Sequence, residues 1–172
     1  MEPVITVSSI IRSHESPAKV TESIQKLFPE WNAEMSPEEN PFPSTRSDFK
    51  ISGAVDSMET FMSKLRESRV LDTAFDAMVM NLCGSETFFS ISRQSASVGK
   101  ISFVVEGKTL GGTLEIRLEG GDLALWLEQQ TWHSGRDSVP RTAGDDLTMD
   151  RDGEPNEWFD SRGQPTMRDS VQ

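Results

Sequence analysis

Thr113-Leu114-Glu115-Ile116-Arg117-Leu118-Glu119 alternates an apolar with a polar residue along its length. A period of two belongs to a β-strand with one face buried and the other in water. Two more strands are expected just upstream, at 86–94 and at 100–106 (Lys100-Ile101-Ser102-Phe103-Val104-Val105). Glycines at 99, 107, 111, 112, 120 and 121 punctuate them. Connections this short suit antiparallel neighbours rather than crossovers. A short helix, 122–128, ends the body on the other side.

Further out, helix and strand patterns alternate. Residues 3–11 read as a strand presenting Ile5, Val7 and Ile11 on one side and Thr6 and Ser8 on the other. Ser16-Pro17 is an N-cap followed by proline at the first helical position, and Val20, Ile24, Leu27 and Phe28 follow at helical spacing until Pro29. Residues 30–47 read as a loop and 48–55 as a strand. Met58, Phe61, Met62 and Leu65 mark a helix opened by Ser57; Leu71, Ala74, Phe75, Met78 and Leu82 mark another. The two sets are out of phase, since Asp72 falls where the first stripe would continue, so a break is predicted at 67–69, with Gly84 as the stop of the second helix. Met58, Met62 and Met78 lie on these stripes and read as core. The order β α β α α β β β α predicts a two-layer α+β domain, a mostly antiparallel sheet with helices on one face, over residues 1–132. Residues 133–172, with nine acids, five bases and scattered Gly and Pro, are expected to be mostly disordered.

The length of 172 residues suits one domain with a tail. Seventeen Lys and Arg face 28 Asp and Glu, a net charge of −11, which disfavours nucleic acid by charge alone and is also what a high-salt cytoplasm favours. No run of 18 apolar residues occurs, and the N-terminus lacks a basic segment followed by an apolar one, so neither a membrane span nor a secretory signal is expected. One cysteine, Cys83, excludes an internal disulfide and a cysteine-based metal cluster. A cytoplasmic protein without membrane partner, cofactor or metal is expected.

Little in the chain announces catalysis. His14 and His133 have no metal-ligand spacing and read as surface residues; Cys83, placed in the last turn of a helix, reads as a buried inert thiol. Gly107-Lys108-Thr109 lacks the earlier glycine of a phosphate loop and joins strand to strand. A non-enzymatic role is therefore expected.

The open face of the sheet is more informative. With apolar positions turned to the helices, its other side collects Thr6, Ser8, Lys50, Ser52, Ser90, Ser92, Gln94, Lys100, Ser102 and Arg117. Small hydroxyls, an amide and three cations suit phosphates and riboses. Asp48, Glu106, Glu115 and Glu119 share the side and only Phe88 offers an aromatic ring, as on an ordinary solvated face. The turn Arg93–Lys100 holds two cations and no acid in an acidic chain.

Ser90-Ile91-Ser92-Arg93-Gln94-Ser95-Ala96-Ser97-Val98-Gly99-Lys100-Ile101-Ser102-Phe103 resembles the Leu-x-Lys-Gln-Ala-Ala-x-x-Gly-x-x-x-Phe signature of a small archaeal family, catalogued as uncharacterised protein family 0201 and described as RNA-binding. Leu27-Phe28-Pro29, Arg69-Val70-Leu71-Asp72-Thr73-Ala74 and Leu110-Gly111 agree with it in the same order, so the resemblance runs from residue 3 to about 140. Arg93 stands at the signature's lysine and Ser95 at its first alanine. The resemblance implies the fold of the large-subunit ribosomal protein that binds 5S ribosomal RNA, and the acidic loop and tail look like elaborations of a halophilic archaeon. It makes structured, ribosomal RNA the expected partner, with Arg93, Gln94, Ser95, Lys100, Lys50, Ser92 and Arg117 as contact residues. A protein-interaction module or homodimer using the same face is the alternative, with Trp158-Phe159 in the tail as a docking motif.

Overall fold

The computed structural model describes residues 2–34, 47–106, 109–143, 157–159 and 165–167. Four strands, β1 (Val4–Ile11), β2 (Phe49–Val55), β3 (Glu86–Ser92) and β4 (Thr113–Glu119), form an antiparallel sheet in the order β2-β1-β4-β3. Five helices accompany it: α1 (Pro17–Leu27), α2 (Glu59–Ser68), α3 (Leu71–Val79), α4 (Arg93–Ser97) and α5 (Leu123–Gln130). This is the expected α+β architecture with an open sheet. In the tail, β5 (Glu157–Phe159) pairs antiparallel with β6 (Pro165–Met167); the rest of the tail beyond 143 and most of the 30–47 loop lie outside the described residues. Among the described residues no helix is long and apolar enough to cross a membrane.

Strand register puts the alternating apolar residues opposite one another. Ile5 faces Val55 and Leu118, Val7 faces Ile116, and Phe89 and Ile91 face Ile116 and Leu114. The helices cover this side with Val20, Ile24, Leu27, Phe61, Met62, Leu65, Phe75 and Met78, all buried. Phe28 stacks on Phe61 at 5.4 Å between ring centroids. The helix break falls where the phase shift placed it. Arg69 adopts a left-handed conformation (φ 57°), its N–H donates to the Arg66 carbonyl at 3.1 Å, and the Val70 N–H donates to the Leu65 carbonyl at 3.3 Å. These two bonds close the end of α2 as a Schellman motif and turn the apolar stripe of α3 back onto the core.

Four expectations need correction. Residues 100–106 do not form a regular strand. They bridge β3 only at Ile91–Phe103, with the Ser92 N–H bonded to Ser102 O and the Val104 N–H to Ser90 O, each at 2.8 Å. Phe103 instead turns into the core, its ring 5.8 Å from that of Phe89 and 6.4 Å from that of Phe61. Arg93–Ser97 is a helix rather than a turn, because Ser92 ends β3 and its Oγ accepts the Ser95 N–H at 3.3 Å. Cys83 is exposed and lies beyond α3; Gly84 (φ 61°) serves the tight Cys83–Glu86 turn instead of capping a helix. Trp31, placed in the loop, is a core residue with no exposed surface. Its indole N–H is shared by the carbonyls of Val7 (3.0 Å) and Gly53 (3.2 Å), which seats the 31–34 segment on two strands. Gly53 is required there: a Cβ at that position would come within 2.1 Å of the Asn32 carbonyl oxygen.

The packed body also continues past residue 132. A 3-10 turn, Ser134–Asp137, follows α5 and buries the Arg136 side chain over the Phe75 ring, 5.0 Å from its centroid.

Candidate nucleic-acid interface

The open face of the sheet is built by the pleat. Across its middle lie the rows Ala54–Thr6–Arg117–Phe88 and Ser52–Ser8–Glu115–Ser90, with Lys50 opposite Ile10 at one end and Glu86 opposite Glu119 at the other. The cations of this face are matched by acids. Arg117 is held by Glu86 and by Glu119, each at 2.7 Å. Its hydrogen bond to Glu86, then their charges, raise its pKa further above the ordinary arginine value. Lys50 lies 3.9 Å from Glu115, and Arg12, at the edge, lies 3.3 Å from Asp48. Lys50 and Arg117 therefore share the face but present no net positive field to a phosphate.

Arg93 borders this face, lining a small pocket with Ser8, Lys50 and Glu115, but offers it almost no surface. It opens α4 and its side chain is 6% exposed. The guanidinium forms an ion pair with Glu15 and donates to Gly111 O (2.8 Å), Ser9 Oγ (2.9 Å) and Ile10 O (2.9 Å). Gly112 makes room for it, since a Cβ there would meet the guanidinium nitrogen at 2.7 Å. Arg93 thus ties β1, Glu15 just ahead of α1, and the 111–112 turn together. It is a positioning residue, and the expectation that it meets phosphate directly is corrected by its burial and its partners.

Ser92 is likewise buried, as the cap of α4, while Ser95 Oγ donates to Ser102 Oγ at 3.1 Å. Gln94 and Lys100 are exposed on either side of them. Gln94, Ser95 and Lys100 are therefore brought together around α4, away from Lys50 and Arg117.

Around α4 the structure adds cations that the sequence pattern did not single out. The Lys26 ammonium, from α1, donates to the Ser97 carbonyl at the end of α4. Lys64 Nζ, from α2, lies 3.5 Å from where a Cβ on Gly99 would sit. Lys100 follows directly. Lys19, in the first turn of α1 and seven residues before Lys26, lines a cleft with Gln94 and Ser97. Among the described residues none of these four lysines has a carboxylate within 4 Å, whereas Lys50 does. One ammonium on the Ser97 carbonyl is what a helix end needs; the other three have no structural partner there. The seven-residue spacing of Lys19 and Lys26 on one helix face was the available signal. Nothing local could bring Lys64 and Lys100 to them.

A second charged cluster lies along α3. Asp72 of α3 accepts from Arg136 (2.8 Å) and His133 Nε2 (2.9 Å), and Arg141 pairs with Asp76. The Gly135 N–H donates to His133 Nδ1 at 3.2 Å, so Nε2 carries the proton given to Asp72. Burial pushes the Asp72 pKa up, but the hydrogen bonds from Arg136 and His133 outweigh it and hold the carboxyl below its ordinary value. His133, expected as a plain surface residue, is half-buried and fastens residues 133–141 to α3. Among the described residues no three His, Cys, Asp or Glu side chains are grouped to hold a metal ion.

The architecture defines a two-layer α+β protein whose antiparallel sheet keeps one face open and whose unpaired lysines gather at one corner. No family model matches the chain. A UPF0201 protein of Sulfurisphaera tokodaii is 33% identical over 131 residues, covering 74% of this chain and 88% of that protein. Another, from Methanothermobacter thermautotrophicus, is 24% identical over 143 residues, covering 82% and 98%. The crystal structure of the Methanococcus jannaschii UPF0201 protein is similar with a TM-score of 0.64 at 18% identity, over 75% of this chain and 99% of that one. A further UPF0201 crystal structure gives 0.60 at 23% identity, over 73% and 90%. This chain belongs to the UPF0201 family of archaeal proteins.

Proposed function

We propose that the protein is a non-enzymatic RNA-binding protein that meets RNA at the α4 corner, through Lys26, Lys64 and Lys100 with Gln94 and Ser95 beside them. One observation carries this reading. In a chain of net charge −11, four of the five lysines among the described residues surround one five-residue helix without a carboxylate partner. Ammonium groups without carboxylate partners leave a local positive patch on an acidic protein, and phosphate is what such a corner fits. The fold that the family resemblance implies, that of the 5S-binding ribosomal protein, is the ground for naming structured, ribosome-linked RNA as the target. In the molar salt of a halophile's cytoplasm counterion release contributes little, so hydrogen bonds from Gln94 and Ser95 would carry a larger share.

The test is fluorescence anisotropy with labelled RNA across a potassium chloride series. The wild type should bind with a falling log K against log salt, and the Lys26→Ala, Lys64→Ala, Lys100→Ala triple variant should reduce that slope by about 2, at ~0.7 per lost contact. A Lys50→Ala, Arg117→Ala variant should bind as the wild type does. No binding at low salt, or a triple variant equal to the wild type, refutes the reading.

The open sheet face favours a second reading, a protein-interaction or homodimer surface. Its cations are neutralised, and Val4, Ile10 and Phe88 stand exposed on it. A stable dimer that survives nuclease treatment, and dissociates when Ile10 and Phe88 become aspartate, would support it.

A further inference from the structure

The cleft between the start of α1 and α4 has a volume of about 400 Å³, within the range of small-ligand sites. Its walls are unlike those of an idle surface groove. Leu110, on the rim, is 85% exposed, a large apolar side chain with nothing packed on it, and Val20, 5% exposed, touches the floor of the same cleft. The Gln94 amide has no hydrogen-bond partner among the described residues, so both its donor and its acceptor are free. Lys19 contributes an unpaired ammonium. Arg93 and Glu15 also line the cleft, where they neutralise one another, so the local charge is that of Lys19.

An exposed apolar side chain, a two-way hydrogen-bonding group and one cation are parts that suit a base and its phosphate. A base held out of the stack is gripped between apolar side chains and read along its edge by hydrogen bonds. The cleft is also continuous with the lysine corner: Ser97 lines it and its carbonyl accepts the Lys26 ammonium. We infer that this cleft receives a single unpaired nucleotide, its base packed on Leu110 with Gln94 on the base edge, and its phosphate on Lys19. The inference rests on the RNA-binding reading and narrows it. The lysine corner holds the backbone of any RNA, and the cleft selects RNA that offers an unpaired nucleotide, in a bulge or a loop. The same chemistry would admit a free mononucleotide, so the two sources must be separated.

The experiment uses the full chain and three probes: a perfectly paired RNA hairpin, the same hairpin with one bulged nucleotide, and the free nucleoside monophosphates. The bulged hairpin should bind about tenfold more tightly than the paired one, as expected for gripping one base. A Leu110→Ser variant, at an exposed position outside the lysine corner, should lose that preference while binding the paired hairpin as before. A photoreactive base analogue at the bulge should crosslink to the peptide containing Leu110. Equal binding of both hairpins, with lysine dependence kept, overturns the cleft and leaves RNA binding standing. A free monophosphate that binds as tightly as the bulged hairpin overturns it in favour of a free-nucleotide site. Absence of binding to all three probes overturns both readings.

Discussion

Replacing Arg93 by methionine keeps the length of the side chain and removes every donor. Glu15 then loses its ion pair, and the carbonyls of Ile10 and Gly111 and the Ser9 hydroxyl lose a bond each. Breaking a buried charge pair from one side costs about 3–5 kcal/mol, because the other charge is left behind. Glu15 is 18% exposed and keeps the Arg12 N–H at 2.9 Å, which sets the expectation at the lower end, about 3 kcal/mol. Against a total stability of about 5–15 kcal/mol that is a large fraction. With a urea m-value of roughly 2 kcal/mol per molar, the unfolding midpoint should fall by about 1.5 M at unchanged slope. Adding Glu15→Gln to the same chain should recover part of the loss, since the carboxylate charge is then removed together with the guanidinium. A midpoint shift worth less than about 1 kcal/mol is the behaviour of a surface pair. It would refute the buried-clamp assignment and return Arg93 to the set of groups free to meet phosphate.

Two further expectations concern stability. Asp72 is held below its ordinary pKa of 3.8 in the folded chain, so its contribution is complete above about that pH and is lost as pH falls through the lowered folded value. Melting temperatures of the wild type and Asp72→Asn should therefore differ at pH 6 and converge as pH falls through that lowered value; a gap that persists once the carboxyl is protonated contradicts the latch on α3. Gly53→Ala forces the Asn32 carbonyl and the Trp31 ring away from β2, an overpacking worth about 1–3 kcal/mol. A melting temperature within one degree of the wild type would show that the 31–34 segment is not seated on the sheet.

The amino-acid sequence by itself determined what local periodicity can carry. Alternation wrote the faces of β1, β2 and β4, and the out-of-phase stripes ending at Leu65 and beginning at Leu71 located the break that Arg69 makes. Residues 100–106 had the composition of a strand but not its partners; a ladder is a non-local structure, and Phe103 found the rings of Phe61 and Phe89 instead. Arg93 belonged to a basic stretch, and charges ordinarily stay in water. Only a carboxylate 78 positions away, Glu15, and carbonyls from two other segments made its burial affordable. Trp31 sat in a loop until two strands offered their carbonyls to one indole N–H. The lysine corner shows the same division. Lys19 and Lys26 are spaced for one helix face, but Lys64 and Lys100 reach that place only because α2 and α4 pack there. Spacing along a chain fixes which side of its own element a residue takes, while its neighbours across space, and hence its charge environment, are set only when the elements pack.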